Sequence, residues 1–350
     1  MTKAKELKKA FDVAKQDRSN FDIMFQTLGE YISLVKQNFE GQPANGEFLM
    51  DDIFDSTGAF AAHNSASAFL GMLWVGSARQ SIELIRPDDV EESAELDEFY
   101  SNLSDGVTRA MDDPKAGLAL ALDEYMLDQK IFGTSGVGVE LGEESDLSYS
   151  SYSVTNLYLD EGKNGRVNKI WLMYEWDIGR VVEEYRIENV SDKTKELYNA
   201  GKKEKIKILV TIQKRKELKA EKGVLAKPYE SIHIEYAEGH QLKESGFDEL
   251  PIPICRARKL GYEKYGRSDG MNAIPDIKEL NTLRESGIVA TEKGLDMPIG
   301  VLNDGIAGGG YVDTSPRAIT VFENTYAGNS PPVFEIGQPP RMDYAQARYE

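Results

Sequence analysis

A long helical repeat constrains the fold more than any other feature of this 350-residue sequence. Apolar residues recur at spacings of three and four from Met271 to about Leu295, with Pro275 in the first turn and Pro298 beyond the end. At 1.5 Å per residue, a helix of about 25 residues is about 37 Å long. The sequence therefore predicts a single long rod that ends before Pro298.

In the rest of the chain, the spacing of apolar residues changes once, near Gly133. Before that residue the pattern is helical, with predicted helices over Lys3–Arg18 and Ser19–Phe39, from about Gly58, and from Asp113–Pro114. After it, alternation predicts strands, interrupted by one helical pattern. The strands are expected at 133–140, 153–159, 167–175, 205–216 and 229–236, with a hairpin turn at 160–165 and the helix at 176–199. A helical layer followed by a β-rich layer is α+β order, not a βαβ alternation.

The charge balance argues against a protein that binds nucleic acid over its whole surface. Lysine and arginine total 41 against 59 aspartates and glutamates, which gives a formal net charge of −18. Binding to phosphates needs an excess of basic residues. The same balance allows a channel through which DNA slides without sticking.

Cysteine and histidine are too scarce for a metal centre built on them. Cys255 is the single cysteine, which excludes an internal disulfide, and the sequence has three histidines. We therefore expect no metal site. The N-terminal segment lacks the apolar core of a signal peptide. Residues 57–75 approach the length of a membrane span but carry polar residues, so a packed helix is favoured over a membrane segment.

No motif points to a nucleotide cofactor or a catalytic triad. The glycine-rich stretch Gly133–Gly138 follows a helix, whereas a dinucleotide fold needs a helix after it. The stretch Gly305–Gly310 lacks the Gly-Lys-Ser/Thr of a P-loop. Both are predicted to be turns or loops, and the chain is predicted to use no cofactor and not to be an enzyme.

An acidic run from Asp88 to Glu98 keeps one enzymatic alternative open. Together with Asp112 and Asp113 it would form the metal site of a nuclease-type enzyme. A contiguous run of carboxylates more often forms the solvated face of a helix, and that interpretation is favoured.

Three stretches of the sequence together indicate a family. They are FDSTGAFAAHNSASAFLGML from Phe54, DEYMLDQKIFGTSGVGVE from Asp123, and ELPIPICRARKLGYEKYGRSDGMNAIPDIKELNTLRESGIVATEK from Glu249. The last is the most specific, with Tyr-Gly-Arg-Ser followed by the Asp-Ile-Lys-x-Leu-Asn helix. In this order the stretches resemble the portal (head-to-tail connector) proteins of short-tailed bacteriophages.

The resemblance implies a ring, expected to contain twelve copies, at one capsid vertex. Residues 1–268 would form the wing (helical over 1–133, β-rich over 134–268), 269–297 the first stem helix, 298–340 a small α/β clip, and 341–350 the start of a second stem helix. The family's tunnel loop and crown would follow and are absent from this chain. DNA would pass through non-specifically during packaging and ejection, with the clip docking a tail adaptor. Further partners would be the major capsid protein and a terminase ATPase, in a virion component assembled in the host cytoplasm.

Candidate site residues follow from this resemblance. Lys278, Arg284 and Lys293 are candidates to face the channel and its DNA. Candidates for the subunit interface are Arg256, Arg258, Arg267, Glu279 and Glu285. Candidates for the adaptor-docking clip are Gly308, Gly309, Tyr311, Arg317 and Tyr326. Which face of the stem helix looks inward stays open, as does a third interpretation, a cellular scaffold that forms no ring.

Overall fold

A computed structural model describes most of the chain. The described residues are 3–34, 52–73, 84–85, 93–142, 144–217, 222–295, 299–303, 315, 317–323 and 333–335. The chain divides into two compact units, one of residues 1–51 with 56–274 and one of residues 52–55 with 275–350. The division falls at Pro275, inside the long helix.

The helices within the described residues follow the predicted order. They are α1 (Lys3–Leu28), α2 (Thr57–Leu73), α3 (Ala94–Asp112), α4 (Leu118–Phe132), α5 (Ile178–Tyr185), α6 (Asp192–Asn199) and α7 (Asp269–Leu295). A π-helical turn, Gly29–Ser33, extends α1, and a 3-10 turn, Pro114–Ala116, precedes α4. None of the helices in the described residues is both long and apolar enough to span a bilayer.

The strands form three sheets. They are β1 (Thr134–Leu141), β2 (Leu147–Ser153), β3 (Leu157–Glu161), β4 (Val167–Asp177), β5 (Lys205–Lys214), β6 (Tyr229–Glu235), β7 (His240–Phe247), β8 (Ile254–Arg256), β9 (Ile299–Asn303), β10 (Ile319–Glu323) and β11 (Val333–Glu335). An antiparallel meander runs in the order β3-β4-β5-β6-β7, and a smaller antiparallel sheet runs β2-β1-β8. In the second unit, β9 pairs with β10 in parallel and with β11 antiparallel. The α+β class is confirmed.

One face of the five-stranded sheet packs on α1. Alternate residues of the strands share a face, so Trp171, Leu209 and Ile232 point together toward the apolar stripe of the helix. Phe11 of α1 is buried among them and meets Tyr158 edge-on, with ring centroids 4.8 Å apart. This contact forms one hydrophobic core of the first unit.

A buried arginine fixes the same helix to the sheet. The guanidinium of Arg18 donates hydrogen bonds to the carbonyls of Val154 (2.6 Å) and Leu157 (2.9 Å) and lies 3.6 Å from the ring centre of Tyr158. It also pairs with Asp22 one helical turn later, at 2.7 Å. Because the side chain is fully buried, each of these partners offsets part of the cost of removing the charge from water.

Several predicted boundaries were wrong. The two N-terminal helices are one continuous helix, α1, because Arg18 and Ser19 interrupt neither the helical backbone nor its apolar stripe. The helix expected over 176–199 is two short helices, since β4 continues to Asp177 and Arg186, at φ +64°, ends α5. Of the strand expected over 153–159, Ser153 ends β2, 154–156 form a turn and 157–159 begin β3, so most of β2 was missed. Strand β7 was missed altogether.

Candidate functional site at the long helix

The start of α7 is fixed by the serine of the Tyr-Gly-Arg-Ser stretch. Ser268 is fully buried, and its Oγ accepts a hydrogen bond from the backbone N–H of Met271 at 2.9 Å. This is the N-cap contact, which satisfies one of the amides that a helix start leaves without a partner. Asp269, in the first turn, pairs with Lys130 (3.1 Å) and Arg258 (3.0 Å). The helix therefore begins at a defined residue.

Two glycine motifs meet directly before this cap. Gly133 ends α4 with φ +77°, and its carbonyl accepts from Ala257 N–H at 2.9 Å. Gly266 N–H donates to Thr134 Oγ1 at 2.8 Å. A Cβ built on Gly266 would lie 2.3 Å from the Gly133 oxygen, so the two backbones touch. The predicted turn at Gly133 leading into a strand is confirmed, and its glycine is explained by close packing and a left-handed backbone.

Arg256 is held inside its own chain. Its side chain is 11% exposed, pairs with Glu161, and donates to the carbonyls of Gly165 (2.8 Å) and Lys264 (3.1 Å). Lys264 in turn bridges Asp17 and Asp160, at 3.0 Å each. Arg256 thus joins the segment leading into α7 to the β3–β4 hairpin. Its role at a subunit interface stays a prediction. The partners within its own chain do not favour that role, because they already occupy the guanidinium.

The other two arginines of the predicted interface are accessible. Arg258 has φ +43° and a side chain 66% exposed beside Asp269. Arg267 is 44% exposed and makes two hydrogen bonds to Glu263, at 2.6 and 3.0 Å. Both pairs remain open on one side, so both arginines are placed where a second molecule can reach them.

In the second unit, Asn281 ties a distant segment to α7. Its Oδ1 accepts from the backbone N–H groups of Phe54 (2.7 Å) and Asp55 (3.1 Å), and its Nδ2 donates to the carbonyl of Asp52 (3.1 Å). Asn281 is 6% exposed. The carboxylate of Asp55 pairs with Arg284 at 3.2 Å, one turn further along the same helix.

The charged residues predicted along α7 lie on its exposed side. Lys278, Glu279, Arg284, Glu285 and Lys293 are all exposed. Arg284 is the one that pairs with Asp55, as described above. Their assignment to channel or subunit interface stays a prediction.

The clip candidates fall mostly outside the described residues. Gly308, Gly309, Tyr311 and Tyr326 lie there, as does the acidic run up to residue 92. Arg317 is described: it is exposed, with φ +60°, shortly before β10. On α3, Glu95, Asp97 and Glu98 face solvent. Among the described residues, no group of three His, Cys, Asp or Glu is placed to hold a metal ion.

Asn281 ends the Asp-Ile-Lys-x-Leu-Asn stretch noted in the sequence, but sequence reasoning gave it no role and did not connect it to Asp55. A signal existed, since asparagine is unfavourable inside a helix unless its side chain has a specific use. The partner could not be deduced, because it lies 226 residues away in the chain.

We expect Asn281→Ala to release the segment 52–55 without unfolding α7. The variant leaves two backbone N–H groups without their acceptor, at a cost of about 1–3 kcal/mol. Hydrogen exchange at the Phe54 and Asp55 amides is predicted to accelerate at least tenfold, since about 1.4 kcal/mol corresponds to a factor of ten. The matched control is Asn272→Ala, an exposed asparagine on the same helix, which should leave both amides unchanged. Equal exchange rates of these two amides in the two variants would show that the Asn281 side chain does not hold the segment 52–55.

Comparison with known proteins identifies the class. A family model described as bacteriophage head to tail connecting protein matches residues 4–349, which is nearly the whole chain. The chain therefore belongs to this family, which confirms the resemblance seen in the sequence. Nothing in the comparison supports the nuclease-type alternative.

Two curated relatives are similar over most of this chain. The portal protein of Salmonella phage epsilon15 is 23% identical over 306 residues, covering 85% of this chain and 54% of the relative. The probable portal protein of Bordetella phage BPP-1 is 22% identical over 330 residues, covering 90% of this chain and 59% of the relative. The chain thus spans a little over half the length of the curated relatives it matches.

Proposed function

We propose that this chain is the ring-forming part of a phage portal, a structural protein through which DNA enters and leaves the capsid. The observation that carries the proposal is the match of the head to tail connecting family over residues 4–349. Twelve copies would surround one capsid vertex in the virion. Residues 1–268 would form the wing, 269–297 the first stem helix, 298–340 the clip and 341–350 the start of the second stem helix.

The charge of the chain supports a conduit rather than a DNA-binding surface. A net charge of −18 per copy repels the phosphates of the duplex over most of the ring. The basic side chains on α7, Lys278, Arg284 and Lys293, would then give only local, non-specific contacts. Packaging energy would come from a terminase, and the clip and wing would contact the tail adaptor and the major capsid protein.

The exposed side of α2 supports contact with a second copy. This 17-residue helix contains no Asp, Glu, Lys or Arg, although charged residues make up 29% of the chain. It packs on α4, and its small residues Ala59 and Ala66 are buried. On its outer side Phe60 is 66% and Met72 75% exposed. A closed ring joins each copy to the next through two different faces, and an uncharged helix is suited to be one of them.

We expect the double substitution Phe60→Asp, Met72→Asp to prevent ring formation while leaving the single subunit folded. Both side chains are exposed in one copy, so charges there cost little stability, whereas burying two carboxylates at an interface costs several kcal/mol. Mass photometry should then detect only small species, with the circular dichroism spectrum of a folded subunit. The control places the same charges on α1, where Val13 (59% exposed) and Ile23 (71% exposed) lie among charged residues. Rings in the α2 variant would exclude this face as the interface.

A further inference from the structure

A cleft remains in the first unit that neither the α1 core nor α7 uses. It has a volume of about 670 Å³ and lies between the smaller sheet and the face of the five-stranded sheet that points away from α1. Strands β1, β2, β4, β5 and β6 and helix α5 contribute to its wall. Sites for small molecules in proteins have volumes of about 300–1,000 Å³. The cleft is therefore large enough for one small ligand.

Aromatic side chains form much of the wall. Tyr174 and Trp176 are two residues apart on β4 and so share a face, with ring centroids 5.2 Å apart. Tyr185 of α5 stacks on Trp176, with ring centroids 6.2 Å apart. Tyr152 enters from β2. Its ring lies so close to β1 that a Cβ on Gly138 would come within 2.6 Å of it. The rings are thus held in place by their surroundings.

This wall already holds one cation. The guanidinium of Arg180 lies 4.3 Å from the ring centre of Trp176. The faces of aromatic rings carry negative partial charge, and they attract ammonium and guanidinium groups within about 6 Å. Tyr152 and Tyr174 offer further rings of the same kind inside the cleft.

Two carboxylates at the rim reinforce this preference. Glu140 of β1 and Glu184 of α5 line the cleft and are exposed. Among the described residues neither carboxylate has a hydrogen bond or an ion pair. Burial and then the charge of Glu140 raise the pKa of Tyr152 to about 12, so this carboxylate acts on the interior of the cleft. The lining of the cleft has these two carboxylates against one guanidinium, that of Arg180, and its net negative charge favours a cation and opposes an anion.

The histidine inside the cleft does not oppose a cation. Burial, and secondarily the charge of Lys243, lower the pKa of His233 to about 4, so its ring is neutral near pH 7. One ring nitrogen of His233 lies 2.8 Å from the Tyr185 hydroxyl and the other 3.2 Å from Ser231 Oγ. The interior of the cleft therefore offers neutral hydroxyl and imidazole groups.

We propose that this cleft binds a small organic ammonium ion of the polyamine class, with its ammonium groups against Tyr152 and Tyr174 and beside the carboxylates of Glu140 and Glu184. A hydrated divalent metal fits less well, because such ions need several oxygen ligands and not aromatic faces. The site belongs to a single copy of the chain, so it is independent of the ring.

Titration calorimetry with spermidine on the full chain tests the proposal. Saturable binding of one spermidine per chain is expected, accompanied by a change in tryptophan fluorescence because Trp176 lines the cleft. The double variant Glu140→Gln, Glu184→Gln should weaken the dissociation constant roughly tenfold or more. The control Glu183→Gln, Glu196→Gln removes the same charge at exposed positions outside the cleft and should change it by no more than about twofold.

Two results would overturn the proposal. The first is an equal loss of affinity in the two double variants, since that means diffuse attraction to an acidic protein. The second is displacement of spermidine by Mg²⁺ at matched ionic strength as effectively as by another polyamine. A third variant, Tyr174→Leu, checks the aromatic wall: its affinity should fall while its circular dichroism stays that of the wild type. If Tyr174→Leu does not fold, the fluorescence change of Trp176 on adding spermidine is the deciding measurement. The proposal requires this change to be lost in the Glu140, Glu184 double variant, and a change that persists there contradicts it.

Discussion

Replacing Gly266 by alanine is expected to lower the melting temperature of the chain by several degrees. A Cβ there would lie 2.3 Å from the Gly133 oxygen and 2.6 Å from both the N and O atoms of Ala257. All three are backbone atoms, so no flexible side chain moves aside. Overpacking of a well-packed interior typically costs about 1–3 kcal/mol, and a conflict with backbone atoms on every side belongs at the upper end of that range.

The measurement is thermal unfolding followed by circular dichroism, with Gly261→Ala as the control. Apart from its two chain neighbours, no atom of the described residues lies within 4 Å of a Cβ built on Gly261, so that variant should melt like the wild type. For Gly266→Ala we expect a fall of about 6–12 °C, because a loss near the upper end of that range moves the midpoint by about 2–4 °C per kcal/mol in domains of 150–250 residues. Wild-type melting of Gly266→Ala would show that α7 does not depend on the contact between the two glycine motifs.

Arg18→Met is expected to produce the second large loss. Methionine fills similar space but cannot donate to the carbonyls of Val154 and Leu157. It also leaves Asp22 without its ion pair to Arg18. Removing one partner of a buried, hydrogen-bonded charge costs about 3–5 kcal/mol. The contact between α1 and the five-stranded sheet should therefore weaken.

The control for this variant is on the same helix. Lys15 is exposed, so Lys15→Met changes charge and shape without removing a buried partner and should shift the midpoint by less than about 2 °C. Hydrogen exchange in α1 gives a local readout, since amides of this helix should lose protection in Arg18→Met first. Equal melting of the two variants would mean that the buried guanidinium adds nothing to stability.

The long helix was predictable because its signals are local. Uninterrupted spacing of apolar residues from Met271 to Leu295 gave its length, and the observed α7 begins only two residues earlier, at Asp269. The strands β4, β5 and β6 were found for the same reason, since their alternation is strong. Strand β7 was missed because it is an edge strand. One of its faces is exposed and polar, and the apolar alternation is weak.

The contacts that make the site were not predictable from local pattern. The glycine motifs near 133 and 266 were each recognised, but their meeting is a tertiary contact between distant segments. The tie from Asn281 to Phe54 and Asp55 has the same character. Arg256 was grouped with exposed basic residues because it lies among them in the sequence. Its partner Glu161 belongs to a hairpin that the sequence predicted, but the sequence did not show which segment packs against that hairpin.

The most direct test of the ring is particle mass and symmetry for the purified chain. Mass photometry and negative-stain imaging over nanomolar to micromolar concentrations should detect a closed ring of about twelve copies with a central hole. The Phe60, Met72 double variant should yield single subunits in the same preparation. A wild-type chain that stays a monomer or a two-fold dimer throughout this range would contradict the ring, because a two-fold contact uses one face and cannot enclose a channel.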